Sequence, residues 1–253
     1  MANPSHQELV AQAKAGDPEA QNALGRFYAQ QGSERQAADW FQRAADQGFA
    51  AAKHNLGVLA QRVGDDEKAE HWFKSAARDG WLNSFVALAA MAEQAGQRAL
   101  AEQCYEIAAK RGHADAQDGL GRLAFATETD AGYESARSWS ELAAAQGNAG
   151  AQTRLGTIYH EGLGVERDPK RAAGYFLSAA RAGHAGAQFM IGAAYHTGLG
   201  VKSNRVEAVY FLSLSARQGN EFAKAYLTRA QADLSASEKA LVEQRLRQGE
   251  TAH

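Results

Sequence analysis

A single cysteine, Cys104, is all the thiol chemistry that 253 residues offer. No intrachain disulfide can form, so the fold does not rest on oxidation, and one thiol says little about compartment. Proline is scarce, at three residues, and charge of one sign is missing too, with 27 Lys and Arg against 29 Asp and Glu. A protein that grips nucleic acid through its phosphates shows a basic excess or a basic stripe. Neither is present, so no nucleic-acid partner is expected. Apolar runs are short, and none approaches the roughly 18 consecutive apolar residues of a spanning helix. The opening Met1-Ala2-Asn3-Pro4-Ser5-His6-Gln7-Glu8 has neither a basic leader nor an apolar core, so it does not read as a signal peptide. The expectation is a cytoplasmic protein without membrane insertion, or a periplasmic one if a leader has been removed.

What the chain has in excess is alanine, about one residue in five. Alanine has the highest helix propensity of all residues. The alanines also keep register. Glycines recur at Gly16, Gly48, Gly80, Gly112, Gly147, Gly183 and Gly219, spaced by 32, 32, 32, 35, 36 and 36 residues. Four positions after each stand Ala20, Ala52, Ser84, Ala116, Ala151, Ala187 and Ala223, and eight positions after stand Leu24, Leu56, Leu88, Leu120, Leu155, Ile191 and Leu227. Three positions before the later glycines stand Ala45, Ala77, Ala109, Ala144, Ala180 and Ala216. Such self-similarity marks a repeat architecture.

Each unit reads as two antiparallel helices, A and B. Helix A carries small residues where a neighbour comes close, such as Ala20 and Gly25. A glycine inside a helix costs about 1 kcal/mol against alanine, so its recurrence asks for a packing reason. Helix B carries a bulky pair: Trp40-Phe41, Trp72-Phe73 and Tyr175-Phe176, with Cys104-Tyr105, Trp139-Ser140 and Phe211-Leu212 as variants. Cys104 therefore belongs to the inter-helix core. The closing glycine is the left-handed cap expected past a helix C-terminus. Asp17-Pro18 and Asp168-Pro169 mark helix starts. Stacked pairs share a continuous core whose ends need polar caps. Capping boxes at Ser5 to Glu8 and Ser235 to Glu238 supply them. The reading is an all-α α/α superhelical solenoid of about seven antiparallel pairs and about fifteen helices. A capping helix spans 5–16, repeats span 17–48, 49–80, 81–112, 113–147, 148–183 and 184–219, and a degenerate last repeat with its cap spans 220–249.

The run Leu155-Gly156-Thr157-Ile158-Tyr159-His160-Glu161-Gly162-Leu163-Gly164-Val165, continuing through Asp168 and Lys170 to Ala172, resembles the Sel-one-like repeat, a cousin of the tetratricopeptide repeat. Ile191 to Ala208 repeats it, with Gly198-Leu199-Gly200-Val201 in the loop. The first three repeats join their helices through the short turns Gly32-Ser33, Gly64-Asp65 and Gly96-Gln97, and are more tetratricopeptide-like. The fourth, with Thr127-Glu128-Thr129-Asp130, sits between. The resemblance implies a right-handed superhelix whose concave face, lined by A helices, binds proteins or peptides. It also implies membership among adaptors and scaffolds, with some relatives acting as inhibitors or immunity proteins that neutralise a toxin or enzyme.

No nucleophile elbow, phosphate loop or His-Glu-x-x-His motif occurs, so no catalytic residue, metal site or cofactor is expected. Gly162-Leu163-Gly164 and Gly198-Leu199-Gly200 join helix to helix without a preceding strand, and read as repeat connectors rather than dinucleotide cradles. His160 and His196 share one repeat position. Adjacent helices pack about 8–10 Å apart, wide for two ligands of one ion, so both read as polar groove residues. His113 and His184 read as turn residues. Removing the core column from helix A leaves a groove-facing set: Asn22, Arg26 and Gln30; His54, Val58 and Arg62; Asp118 and Arg122; Thr153, Thr157 and His160; Phe189, His196 and Arg229. Several arginines and an aromatic in a polar lining suit recognition of a protein or peptide.

Overall fold

A computed structural model describes residues 6–232 and 234–250, with side chains to residue 248. Among these residues there are fifteen helices and no strand. The capping box read at Ser5 lies outside the described residues.

The chain divides after His113 into two compact units. In the first, a lone α1 (His6–Lys14) packs on α2 (Pro18–Gln30), which pairs with α3 (Glu34–Asp46). The next pairs are α4 (Ala50–Arg62) with α5 (Asp66–Arg78), and α6 (Leu82–Gln94) with α7 (Arg98–Ala109). Successive pairs join through α3 on α4 and α5 on α6. In the second unit α8 (Ala114–Phe125) pairs with α9 (Asp130–Ala145), α10 (Ala149–Glu161) with α11 (Pro169–Arg181), and α12 (Ala185–Thr197) with α13 (Arg205–Arg217). Then α14 (Glu221–Ala232) packs on α13, and α15 (Ala236–Glu250) packs chiefly on α13 rather than back along α14. Val242 and Leu246 of α15 join Val209 and Leu212 of α13 in one apolar cluster, which also takes in Ala223 and Ala230 of α14.

Local chemistry sets the helix ends. The Asp17 and Asp168 carboxylates accept from Ala20 N and Arg171 N, each with proline as the next residue. Asn148, Asn204 and Thr129 cap α10, α13 and α9 in the same way. His184, expected as a turn residue, is more than that: its ring accepts from Ala187 N at the start of α12. Ser235 and Glu238 form the reciprocal box expected at α15, with Ser235 N donating to Glu238 Oε2 at 2.8 Å and Glu238 N to Ser235 Oγ at 3.3 Å. Ser235 N, and after it Ser235 Oγ, donate to the Glu238 carboxylate and hold it below its ordinary range. The closing glycines turn left-handed as read, with φ +83° at Gly48 and +89° at Gly183.

The core runs along the contact of helix A with helix B. Phe41, Phe73 and Phe176 are buried, and each ring lies against the glycine of its own helix A, at Gly25, Gly57 and Gly156. Their sequence neighbours Trp40, Trp72 and Tyr175 are only half-buried, and so is Cys104. Cys104 therefore sits at the margin of the core rather than inside it. The partial burial raises its thiol pKa, with Lys74 acting in the opposite direction.

Candidate protein-interaction site

Two polar registers join neighbouring repeats. In the first, the residue before a closing glycine reaches back to the fifth residue after the preceding one. Gln47 donates to Gln21, Gln146 to Gln117 and Gln218 to Gln188, each at 2.8 Å. In the second repeat the same positions hold an ion pair, Lys53 Nζ to Asp79 Oδ2 at 2.5 Å. Gln21 and Gln188 also donate to the buried carbonyls of Ala13 and Ala180. Each of these carbonyls already accepts from the N–H of its closing glycine, Gly16 or Gly183, and the glutamine adds a second donor.

The second register links A helices directly, from the sixth residue after one glycine to the seventh after the next. Asn55 Nδ2 donates to Asn22 Oδ1 at 2.8 Å, and Arg154 Nη1 donates to Asp118 Oδ1 at 2.9 Å. At the same register in the last repeats, the rings of Phe189 and Tyr226 meet edge-on at 6.0 Å.

These registers sort the residues expected to line a groove. Asn22 is buried, 9% exposed, because it is spent on Asn55. His54 is also drawn inward: its Nδ1 lies 2.9 Å from Ser84 Oγ and its ring packs on Phe73 and Trp81. Burial lowers its pKa from 6.5 to about 4. Asp118 is held by Arg154, and Arg154 also donates to Ser140. Thr157 bonds back to the Thr153 carbonyl, and Thr153 to Ala149 and His184. Arg122 and Arg229 are exposed. His160 packs edge-on to Phe176 and lies 3.5 Å from the Glu161 carboxylate. His196 packs edge-on to Tyr226. Among the described residues no three His, Cys, Asp or Glu side chains gather in a way that could hold a metal ion.

Four of the expected residues do come together at a surface. Arg26, Gln30 and Arg62, with Val58, line a cleft of about 180 Å³ between α2 and α4 that reaches Phe41 and Leu59. Among the described residues neither the Arg26 nor the Arg62 guanidinium has a hydrogen-bond or ion-pair partner. The glycine loops play a packing part. A Cβ on Gly200 would fall 2.0 Å from the Pro169 carbonyl, and one on Gly164 would fall 3.3 Å from Tyr133 Cβ. Each loop therefore rests on the start of the preceding B helix.

Sequence reasoning missed Phe222 and Tyr226. Phe222 is 77% exposed and its ring lies 6.3 Å from that of Phe189. The signal was present in the register. The third position after each closing glycine holds Glu19, Ala51, Asn83, Asp115, Gly150 and Gly186 before it holds Phe222.

Helix pairs that bury glycine against aromatic and repeat every 32 to 36 residues define a helical repeat protein. The Sel1 repeat matches residues 18–49, 50–81, 89–113, 114–148, 149–184 and 185–220. The chain belongs to the Sel1 repeat family, whose members generally mediate protein–protein interaction. It is similar to a protective antigen of uropathogenic Escherichia coli with an SLR fold, at 28% identity and TM-score 0.83, covering 94% of this chain and 54% of the antigen. It is also similar to a Sel1 repeat protein of Oxalobacter formigenes, at 30% identity and TM-score 0.77, covering 88% of this chain and 69% of that one. An immunity protein of Pseudomonas aeruginosa shares the fold at 20% identity and TM-score 0.52, covering 85% and 83%. No curated protein matches the chain. Among the described residues no helix is long and apolar enough to cross a membrane.

Proposed function

We propose that the chain is a non-catalytic scaffold or adaptor that holds a protein or peptide against the groove lined by its A helices. The observation that carries this reading is the α2–α4 cleft, where Arg26 and Arg62 stand unpaired around an apolar base of Phe41, Val58 and Leu59. Guanidiniums left free beside buried rings are the residue types that dominate interface energetics. A partner carboxylate would meet them without displacing an internal ion pair. The working residues of the groove are then Arg26, Gln30, Arg62, Arg122, Phe189, His196 and Arg229. Asn22, His54 and Asp118 support the helices that present them.

An inhibitor or immunity role is the second reading, for which the Pseudomonas aeruginosa immunity protein offers a precedent on this fold. The test compares affinity capture from source cells by the native chain and by an Arg26→Glu/Arg62→Glu variant, with captured proteins quantified by mass spectrometry. A set of proteins captured by the native chain and lost from the variant supports the groove. Equal capture by both refutes it. A captured toxin or enzyme whose activity the chain abolishes selects the second reading.

A further inference from the structure

A cavity of about 1470 Å³ in the second unit is lined chiefly by α11, α13 and α15, with Gln188 and Tyr195 contributed by α12. The packing of α15 on α13 places Glu238, Arg245 and Leu246 in its lining. One side is α11 with the loop of residues 201–204, and the other is α15. Drug-sized ligands occupy pockets of roughly 300–1,000 Å³, so this cleft suits a longer occupant.

Its charge is one-sided in a chain whose net charge is −2. Four cationic side chains, Arg181, Lys202, Arg205 and Arg245, face two carboxylates, Glu207 and Glu238. Both carboxylates are already engaged. Glu207 is ion-paired with Arg245, whose guanidinium also lies 4.4 Å over the Tyr210 ring, and Glu238 is held by Ser235 in the capping box. Arg181 and Lys202 are exposed, and among the described residues neither has a partner. Leu177, Tyr210 and Leu214 line the same cleft.

We propose that this cleft binds an acidic peptide segment of a partner protein. Its carboxylates meet Arg181 and Lys202, and its apolar side chains lie on the Leu177–Tyr210–Leu214 strip. The occupant is acidic because Arg181 and Lys202 are unspent, Glu207 is already paired with Arg245, and the four cations of the cleft outnumber its two carboxylates. It is a peptide because the cleft exceeds what a drug-sized ligand fills and sets unspent cations beside the apolar side chains of Leu177, Tyr210 and Leu214. This surface is separate from the A-helix groove, so the proposal does not depend on that reading.

The test is fluorescence anisotropy of the full chain with a labelled polyglutamate peptide carrying spaced leucines, against a polylysine peptide of the same pattern. The acidic peptide should bind and the basic one should not. Arg181→Glu/Lys202→Glu should weaken binding by about tenfold or more, a difference of about 1.4 kcal/mol, with helicity retained. Raised salt should weaken it as well. Arg26→Glu/Arg62→Glu, which removes the unpaired guanidiniums of the first unit, should leave most of the binding in place. Failure of the acidic peptide to bind, equal binding of the basic one, or loss with the groove variant alone would overturn the proposal. Full displacement by equimolar tripolyphosphate would also overturn it, since the cleft would then read charge alone. If the double reversal unfolds, Arg181→Ala and Lys202→Ala decide the matter.

Discussion

The Gly25 Cα faces the Phe41 ring so closely that a β-carbon there would sit 2.5 Å from Phe41 Cδ1. Gly57 and Phe73, and Gly156 and Phe176, stand in the same relation. The ring cannot retreat, since Phe41 and Phe73 are almost wholly buried. Alanine at Gly25 or Gly57 gains about 1 kcal/mol of helix propensity, while overpacking a core costs typically about 1–3 kcal/mol. The second effect wins. Gly57→Ala should lower stability in urea unfolding by about 1 kcal/mol, and Gly57→Val by more. Gly174, where a β-carbon meets nothing within 4 Å, should accept alanine without loss.

Most of the fold was legible because the glycine–aromatic contact leaves a mark in both partners. A small residue at Gly25 and a large one at Phe41 recur at fixed spacing, and the closing glycine separates the units. The surface was less legible. Asn22 and Arg26 lie one turn apart on α2, and helical periodicity gives them the same face. Yet Asn22 is consumed by Asn55 of the next A helix, and Arg26 stays exposed. Which side chain meets a neighbouring helix depends on the offset between repeats, which no single helix encodes. The same offset hid the ring contact of Phe189 with Tyr226. It also hid the path of α15, whose departure from α14 depends on packing against α13.

The Lys53–Asp79 ion pair fills a place that glutamine pairs occupy elsewhere. Its side chains are 16% and 38% exposed, so its net worth is small, on the order of 0.5 kcal/mol. Lys53→Gln/Asp79→Gln should restore the glutamine pairing seen at Gln21 and Gln47 and stay within about 0.5 kcal/mol of the native chain. Lys53→Gln alone should lose more in low salt than in high salt. A double-mutant cycle run at two ionic strengths checks both statements.

His54 should make the first unit acid-sensitive. Its folded pKa, lowered by burial to about 4, lies below the ordinary 6.5. On acidification the unfolded chain takes up the proton first, so stability is full above pH 6.5 and is lost as the pH falls towards 4. At about 1.4 kcal/mol per unit the whole shift would be roughly 3 kcal/mol, which partial exposure reduces to about 1–2 kcal/mol. His54→Gln can keep a hydrogen bond to Ser84 but does not titrate. The native chain should lose about 1–2 kcal/mol more than this variant between pH 7 and pH 4.5, measured by denaturant unfolding. Parallel losses would show that carboxylates, not His54, set the acid response.

Arg62 and Arg122 carry the last prediction, because both are exposed on A helices, one in each unit. If the groove is the working surface, charge reversal at either should weaken the captured partner while leaving helicity and melting intact. Losing an arginine hot spot costs about 2 kcal/mol, roughly thirtyfold in affinity. The controls lie on B helices. Glu70 is paired within α5 to Lys74, and Lys110, the residue that caps α7, is paired to Glu106, so reversing either disturbs an exposed i,i+4 pair worth about 0.3–0.5 kcal/mol. Isothermal titration of the four variants separates the surfaces. A loss confined to Glu70 and Lys110 would move the binding face to the B helices and refute the A-helix groove.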